Sequence, residues 1–507
     1  MLLSHAFAVV WQISTLPRAP VFGDEIIIND PAIALSRGQG LVAPSFADSV
    51  RGIDRMYAHF PPLYIYLQSI VFRVLGVSAV SLRLLTVSMS IAAIAVFLLL
   101  MHMLVRRGFA SRTTGFLLSC VYAFHAPSLA MHRMSRMESL IEFLSLASLY
   151  CVMAACVGRD DEAGESRSKD LVWVGAGAFL AGLALAAHPE AIVAILPAMM
   201  LIVIAARLPI GVRLMVPAIS VAVPVALWWL VYGSNSGTAF HQMTVIAAQD
   251  APGPTVLRFG LDLMRKARQS SHDAMSALLF GVSLAVLLLV VTRSIVTLRN
   301  RHRGSGPRQR VVRLVQLSYG AAALGALALL IWFVPSSITR YEVLFPLYLA
   351  SFAIPTLSLR NVLVTRAARV AVAGLLAVDC LAVSAYLMRG AQNRYESSAV
   401  YAAVLDCVPR DAKLAASPQL WLALEERNRP FTLLYPQFDG FKTWSAQSSN
   451  PLDRFDVILL DDELKQQLQQ YQPYSSHGRF IKEYSTRFSK IDEYSKRPIP
   501  ENCSSQW

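Results

Sequence analysis

The chain has 507 residues, of which 55% are hydrophobic and only 16% are charged. A soluble globular protein would carry charge on roughly a quarter of its residues, so the composition excludes that class. The formal net charge is +13, but most basic residues lie in short loops between apolar segments. That distribution argues against a nucleic-acid-binding protein, which gathers basic and aromatic residues on one soluble face.

The apolar segments predict a polytopic α-helical membrane protein. Most are close to the length of about 20 residues that a helix needs to cross a bilayer. The first segment lacks the basic start and the small-residue cleavage site of a signal peptide, so we interpret it as a short membrane helix. About eleven membrane helices result, near residues 1–16, 80–105, 112–131, 139–157, 171–187, 190–206, 214–232, 274–292, 312–333, 342–359 and 367–388.

Arginine residues in alternate loops predict the topology. The loops that follow the predicted helices 80–105, 190–206, 274–292 and 342–359 all carry arginine, whereas the loop 158–170 has mixed charge. Because basic loops stay on the cytoplasmic side, the N-terminus is predicted inside and the C-terminus outside. We expect an integral protein of a bacterial inner membrane.

Two predicted outer loops contain helices that we expect to lie at the interface. The loop 17–79 includes "HFPPLYIYLQSIVFRVLG", in which a proline pair precedes an apolar stretch at residues 59–76. Counting that stretch as a span would put Arg106 and Arg107 outside, so we expect it to lie at or dip into the membrane surface. The loop 233–273 has apolar and polar residues on opposite faces of a helical pattern, which indicates a second interfacial helix.

The composition changes near residue 389, which divides the chain into a membrane domain (1–388) and an outer soluble domain (389–507). In this tail, "DAKLAAS", "FTLLY" and "DVILLDD" predict strands. Between them, "SSAVYAAVLDCV", "PQLWLALEERN" and "DELKQQLQQY" predict helices. Alternation of this kind predicts a small α/β fold.

Adjacent acids, Asp24 and Glu25, follow the first apolar segment in "VFGDEIIINDPAIALSRGQG". A carboxylate at the outer mouth of a helix bundle is able to take a proton from an acceptor hydroxyl. The structural alternative is a solvated turn and the acidic start of a helix. Asp30 precedes Pro31, and we interpret that pair as a helix cap with proline at the first helical position.

Three further outer loops contain charged side chains at the same membrane level. "HRMSRMES" (132–139) carries arginine although it is predicted to lie outside, whereas basic loops usually stay on the cytoplasmic side. Arginine at such a place suits an anion such as phosphate. The alternative is a surface pair between Arg136 and Glu138. The other two loops are "AAHPEAI" (186–192), with His188 and Glu190, and "SSITRYEVLFP" (336–346), with Arg340, Tyr341 and Glu342. Together the loops suit a substrate with an anionic head and a lipid tail.

No Walker loop, dinucleotide glycine motif, HExxH motif or CxxC pair is present in the sequence. We therefore predict no cofactor, and a divalent metal held by acids from separate loops has no motif to support it. Cys407 and Cys503 are the only cysteines in the predicted outer tail. An oxidising compartment would favour a disulfide between them, and two free thiols are the alternative.

Several of these motifs resemble the GT-C membrane glycosyltransferases, including the protein O-mannosyltransferase and lipid A aminoarabinose transferase branches. "FGDE" resembles the first acidic motif of that family, and "HRMSRMES" is similar to its second. "HFPPLYIYL…VLGVSAVSLRLLTV" and "TRYEVLFPLYL" resemble two more of its conserved stretches. The likeness keeps its order over about residues 20–360, which makes it more specific than any single motif.

Three departures limit what the resemblance implies. Glu138 stands where the family usually has Asp, and His188 lies near the place of a common Lys. His59 and Phe60 precede the proline pair, where the aminoarabinose branch tends to have Glu-Lys. The last departure argues against that branch and leaves the acceptor open.

The resemblance implies an inverting glycosyltransferase that moves a sugar from a polyprenyl-phosphate donor to a hydroxyl of a glycan, lipid or protein. Asp24 is then the general base, and Glu25 supports or replaces it. The donor phosphate is expected to bind Arg136, His188 and Arg340. Supporting roles fall to Glu138, His59 and Tyr341. A transporter or flippase of a lipid-linked saccharide is the alternative, and a non-catalytic membrane scaffold is a third hypothesis.

Overall fold

The computed structural model describes about half of the residues. The described residues are 10, 23–47, 50, 52–108, 111–124, 132, 134–156, 166–188, 191–205, 208–242, 374, 401, 404–434, 454–461, 464–466, 479–485 and 490–495. Of the predicted membrane helices, 274–292, 312–333 and 342–359 lie outside this set, and 1–16 and 367–388 lie outside it except for the single residues 10 and 374. The predicted interfacial helix of the loop 233–273 lies outside it too, beyond residue 242.

Eight α-helices make up the described N-terminal part of the chain. They are α1 (Gly23–Ser36), α2 (Leu63–Leu75), α3 (Ala79–Arg106), α4 (Arg112–Phe124), α5 (Glu138–Cys156), α6 (Ser166–Ala187), α7 (Ala191–Ala205) and α8 (Ile210–Tyr232). Helices α3, α5, α8 and most of α6 (Lys169–Ala187) are long and apolar enough to cross a membrane. Each coincides with a predicted span, which confirms a helical membrane protein.

Helix α2 begins directly after the proline pair, as the sequence predicted. Its first residue is Leu63, and Gly76 ends it with a positive φ of 73°. Thirteen residues rise only about 20 Å, whereas the hydrocarbon core of a bilayer is about 30 Å thick. The helix is therefore too short to span, in agreement with its exclusion from the predicted membrane helices.

Helix α5 lies at the centre of the described bundle and packs against α3, α6 and α7. Close approach to α6 depends on Gly177, where an added Cβ would lie 2.7 Å from the Val152 side chain. The Ser148 hydroxyl donates to the Gly177 carbonyl at 2.7 Å. Small residues and hydroxyl bonds of this kind hold membrane helices together, since lipid removes the hydrophobic advantage of helix association.

The C-terminal part contains a five-stranded mixed sheet, which we call the C-terminal sheet. Its strands are β1 (Leu414–Ala416), β2 (Thr432–Leu433), β3 (Val457–Asp461), β4 (Arg479–Ser485) and β5 (Lys490–Ser495). Their order is β2-β1-β3-β5-β4. Strand β1 runs parallel to β2 and β3, and β5 runs antiparallel to β3 and β4.

Strands β1 to β3 fall on the three predicted strand segments, whereas β4 and β5 had no sequence prediction. Every residue of β1 and β3 is buried. Continuous apolar strands of this kind are covered on both faces. Leu414 and Leu459 join one apolar cluster, and Ala415 and Ile458 join another on the opposite face. The domain boundary at 389 and the placement of this sheet outside the membrane stay predictions.

The short helix α9 (Trp421–Glu426) follows β1 through a 3-10 turn at Pro418–Leu420. It lies in the segment that was predicted helical. Trp421, Leu422 and Leu433 belong to the apolar cluster of the N-terminal helices. The C-terminal sheet therefore packs through α9 and β2 against the N-terminal part.

Candidate functional site

Helix α1 carries the two adjacent acids in its first turn. Asp24 and Glu25 are its second and third residues, so their side chains leave the helix about 100° apart. The Asp24 side chain lies outside the described part of the structure. Glu25 is fully buried.

The helix-cap prediction for Asp30 is wrong. Helix α1 begins at Gly23, so Asp30 and Pro31 lie inside it. Asp30 is buried, and its Oδ1 accepts hydrogen bonds from the Ser45 hydroxyl and from Trp421 Nε1. The sequence signal for a cap was misleading for two reasons. The Asp30 carboxylate binds Ser45 and Trp421 instead of the backbone of a first helical turn. Pro31 removes one helical hydrogen bond but does not end the helix.

Glu25 joins α1 to the loop that contains the second motif. Its Oε1 accepts a hydrogen bond from the Ser135 backbone N–H at 2.6 Å. The Nε of Arg83, on α3, lies 3.6 Å from the same oxygen, and both side chains are fully buried. The buried carboxylate thus has a cation and an N–H donor beside it, which offsets the cost of removing its charge from water.

Ser135 is the residue on which several elements converge. Asn29 Nδ2 donates to the Ser135 carbonyl at 3.0 Å, and the Ser135 hydroxyl donates to Asn29 Oδ1 at 2.9 Å. The Tyr64 hydroxyl, on α2, lies 3.0 Å from the Ser135 hydroxyl and 2.9 Å from that of Thr86 on α3. Helices α1, α2 and α3 together fix the backbone immediately before Arg136.

Arg136 and Glu138 form an ion pair next to this anchored serine. Arg136 Nη2 lies 2.5 Å from Glu138 Oε1, and their side chains are 16% and 12% exposed. His188 lies near enough to Glu138 for an electrostatic interaction. The structure therefore brings together three predicted site residues, and the partial exposure of the ion pair leaves it within reach of solvent.

His59 and Phe60 flank the same cluster. The Phe60 ring lies 4.9 Å from the His59 ring and 5.7 Å from the His188 ring, between centroids. Burial lowers the pKa of His59 to about 3, against a smaller raising effect from a hydrogen bond with Gln242. His59 is therefore neutral near pH 7 and contributes no positive charge to an anion site.

A second buried cluster was missed by the sequence analysis. Glu142 Oε2 lies 2.5 Å from His132 Nε2, and the Tyr122 hydroxyl donates to Glu142 Oε1 at 2.8 Å. Glu142 comes one helical turn after Glu138 in an apolar helix, and an ionisable residue in a span is itself a functional signal. The same signal applies to Arg83.

Arg340 and Tyr341 lie outside the described residues, so their place in the site stays a prediction. Cys407 is buried, and Cys503 lies outside the described residues, so the disulfide stays a prediction as well. Among the described residues, no group of three or more His, Cys, Asp or Glu side chains is arranged to hold a metal ion.

The fold of the chain matches solved membrane glycosyltransferases, although no protein-family model and no curated protein matches its sequence. ArnT from Cupriavidus metallidurans bound to undecaprenyl phosphate aligns over 97% of both chains, with a TM-score of 0.53 and 12% identity. The chain has the GT-C fold.

The oligosaccharyltransferase from Archaeoglobus fulgidus has the same fold. Its complex with zinc and sulfate aligns over 91% of this chain and 68% of its own, with a TM-score of 0.51 and 12% identity. At these identities the likeness concerns the fold. It agrees with the GT-C resemblance of the ordered sequence motifs.

Proposed function

We propose that this chain is an inverting glycosyltransferase that acts on the outer side of the membrane with a polyprenyl-phosphate-linked sugar as donor. The observation that carries the proposal is the hydrogen bond between Glu25 and Ser135. It joins the helix that carries Asp24 to the loop that carries Arg136. The proposed base and a partly exposed cation therefore lie on two directly connected segments. The GT-C fold and a neighbour bound to undecaprenyl phosphate support the donor class.

In this mechanism Asp24 takes the proton of the acceptor hydroxyl. The hydroxyl oxygen attacks the anomeric carbon from the face opposite the phosphate, and a new glycosidic bond forms with inversion. The bond between the anomeric carbon and the phosphate oxygen breaks, and the lipid phosphate leaves with both electrons. Because phosphate is a good leaving group, it needs nearby positive charge more than a proton donor.

We assign that positive charge to Arg136, His188 and Arg340. Glu138 pairs with Arg136 and interacts with His188, so it is placed to orient both. Glu25 is buried and anchors the loop of Arg136 through Ser135. Of its two predicted roles, we assign it the support of Asp24 rather than its replacement. Tyr341 stays a predicted neighbour of Arg340, and the lipid chain is expected to lie against the apolar helices.

The function is tested by mass spectrometry of envelope glycans from cells that lack the protein and are complemented with variants. Asp24→Asn should lower transfer by about 10²–10⁴-fold, the range for loss of a general base. Binding of undecaprenyl phosphate to the purified full chain should change little. Asp54→Asn is the matched control, because Asp54 is an exposed acid of the same predicted outer loop.

Normal glycans with Asp24→Asn would contradict the assigned base. The transporter alternative is separated by assaying the purified chain in detergent with a lipid extract from the deletion strain as donor and the remaining envelope material of that strain as acceptor. A glycosyltransferase releases lipid phosphate there, whereas a flippase needs two separated leaflets and forms no new glycosidic bond. Absence of transfer in detergent together with donor accumulation in the inner leaflet would favour the flippase.

A further inference from the structure

Helices α1 and α9 face each other through two pairs of side chains. Asp30 lies on α1, and Arg37, seven residues later, directly follows its last residue and donates its backbone N–H to the Ile33 carbonyl. Trp421 and Glu425 are four apart on α9. Both spacings place the two side chains on one face of their helix. The junction therefore joins the helix that carries Asp24 to a part of the chain almost four hundred residues away.

Polar contacts at this junction are specific in geometry. Trp421 Nε1 donates to Asp30 Oδ1 at 3.2 Å. Arg37 Nη1 donates to Glu425 Oε2 at 2.6 Å, and its Nη2 donates to the Glu425 carbonyl at 2.7 Å. The Ser45 hydroxyl and backbone N–H both donate to Asp30. Asp30, Trp421 and Glu425 are all buried.

Apolar contacts surround these polar groups. Trp421 and Leu422 belong to the apolar cluster of the N-terminal helices. Strand β2 packs against the 3-10 turn Pro44–Phe46, which also packs against α1. A tryptophan that is fully buried in this way holds both sides at a defined separation, because interiors are closely packed and tolerate little displacement.

We propose that Trp421 and Glu425 are positioning residues for the glycosyl transfer, which hold α1 and thereby Asp24 in place, and that this hold weakens as the pH rises. The proposal rests on the proposed function. Asp24 lies six residues from Asp30, a rise of about 9 Å along the helix. A shift of about 1 Å in a reacting group is enough to lower a rate by about 100-fold.

The pH dependence follows from two buried carboxyl groups near one guanidinium, which is hydrogen-bonded to Glu425 and acts on Asp30 through its charge alone. Burial raises the pKa of Asp30 to about 6, against smaller lowering effects from Ser45, Trp421 and Arg37. Burial and the nearby Asp30 raise the pKa of Glu425 to about 7, against the effect of Arg37. Arg37 can neutralise one carboxylate, so ionisation of both leaves a net negative charge in a buried junction.

The other charged or titratable groups that face this junction are few among the described residues. Helix α2, which packs on α1, contains Tyr64, Tyr66 and Arg73. The Tyr64 hydroxyl is engaged by Thr86 and Ser135, and Tyr66 and Arg73 are exposed. None of the three acts on the pKa of the two carboxyl groups.

The sign of the effect is set by the raised pKa of both carboxyl groups. When α9 separates from α1, water reaches both groups and their pKa returns to about 4. The joined form then binds more protons than the separated form between about pH 4 and pH 7. The contribution of the junction is therefore present at low pH and is lost as the pH rises through about 6 to 7.

Hydrogen–deuterium exchange of the full chain in lipid nanodiscs tests the junction directly. Protection of peptides from α1 and α9, corrected for intrinsic exchange, should fall by at least about tenfold between pH 5.5 and pH 8.0. Glu425→Gln should remove most of that pH dependence, since a single carboxylate then faces Arg37. Asp54→Asn, which removes an exposed acid outside α1 and α9, should behave as the wild type.

Transfer activity tests the positioning role. Trp421→Phe keeps a ring but removes the bond to Asp30, and we expect transfer to fall by about 10- to 100-fold. Binding of undecaprenyl phosphate should be almost unchanged, because the variant leaves the assigned phosphate-binding residues intact. Glu425→Gln should flatten the loss of transfer at high pH.

The two proposals fail in different ways. If Trp421→Phe and Glu425→Gln leave α1 protection and transfer as in the wild type while Asp24→Asn abolishes transfer, the positioning role is overturned and the glycosyltransferase stands. If the detergent assay shows no transfer and Asp24→Asn leaves the envelope glycans unchanged, the proposed function falls, and the exchange data still show whether α9 holds α1. A fall in protection of α9 alone, with α1 unaffected, would also overturn the positioning role.

Discussion

Helices α5 and α8 are both long enough to cross a membrane, but they meet opposite surroundings. Of the most apolar 18-residue stretch of each helix, 78% is buried inside the protein in α5 and only 12% in α8. Helix α5 carries Glu138 and Glu142, which pair with Arg136 and His132 from the segment before the helix. Helix α8 exposes large apolar side chains such as Leu230, which is 80% exposed. Apolarity alone therefore does not indicate which helix builds the site.

The difference teaches how a membrane protein distributes polarity. Lipid tails are as apolar as leucine, so outward-facing leucines such as those of α8 need no protein cover. Ionisable side chains are costly in lipid and are kept inside the bundle with partners. The helix with more polar residues is consequently the more buried one, the reverse of the pattern in a soluble protein.

The largest difference is expected from leucine truncation in the two helices. Leu149 is fully buried on α5, and Leu149→Ala should destabilise the protein toward the lower end of about 2–5 kcal/mol. The lower end applies because a leucine side chain gains little free energy when it moves from lipid into the helix bundle, so less is lost when the side chain is removed. Leu230→Ala on α8 is the matched control and should cost less than about 0.5 kcal/mol. Thermal unfolding in detergent measures both, and equal shifts would contradict the assigned faces.

A smaller effect is expected from filling the contact between α5 and α6. In Gly177→Val, the new side chain would meet Val152 at 2.7 Å and the Ser148 carbonyl at 3.0 Å. Overpacking of this kind costs about 1–3 kcal/mol. Gly175 lies on the same helix and has no atom within 4 Å of an added Cβ, so Gly175→Val is the control. A Gly175→Val protein that unfolds earlier than Gly177→Val would show that the helix contact is misplaced.

The smallest of these effects is expected from Glu142→Gln. The change keeps the shape of the side chain but replaces charge-assisted hydrogen bonds to His132 and Tyr122 by neutral ones, a loss of about 1 kcal/mol. The same thermal unfolding measurement applies, and Asp54→Asn serves as the control for removal of an exposed acid. No change with Glu142→Gln would mean that the buried cluster contributes nothing specific to α5.

Helix existence was largely predictable, because it depends on local sequence. Apolar runs predicted α3, α5, α6 and α8, and the proline pair predicted the start of α2. Strands β1 to β3 were predictable from short apolar runs between turn residues. The C-terminal strands β4 and β5 were not, since they carry charged residues such as Lys482 and Glu493 within the register and lack a continuous apolar run.

Only the tertiary structure decided which polar residues meet. Glu25 and Ser135 are 110 residues apart, and Asp30 and Trp421 are 391 apart. Nothing in the local pattern distinguishes a solvated acid from a buried one, so Glu25 could be grouped with Asp24, and Asp30 could be interpreted as a cap. The sequence by itself determined the class of protein and the candidate motifs through composition and spacing. Packing decided the partners, because the cost of burying a charge depends on groups that the chain brings together only when it folds.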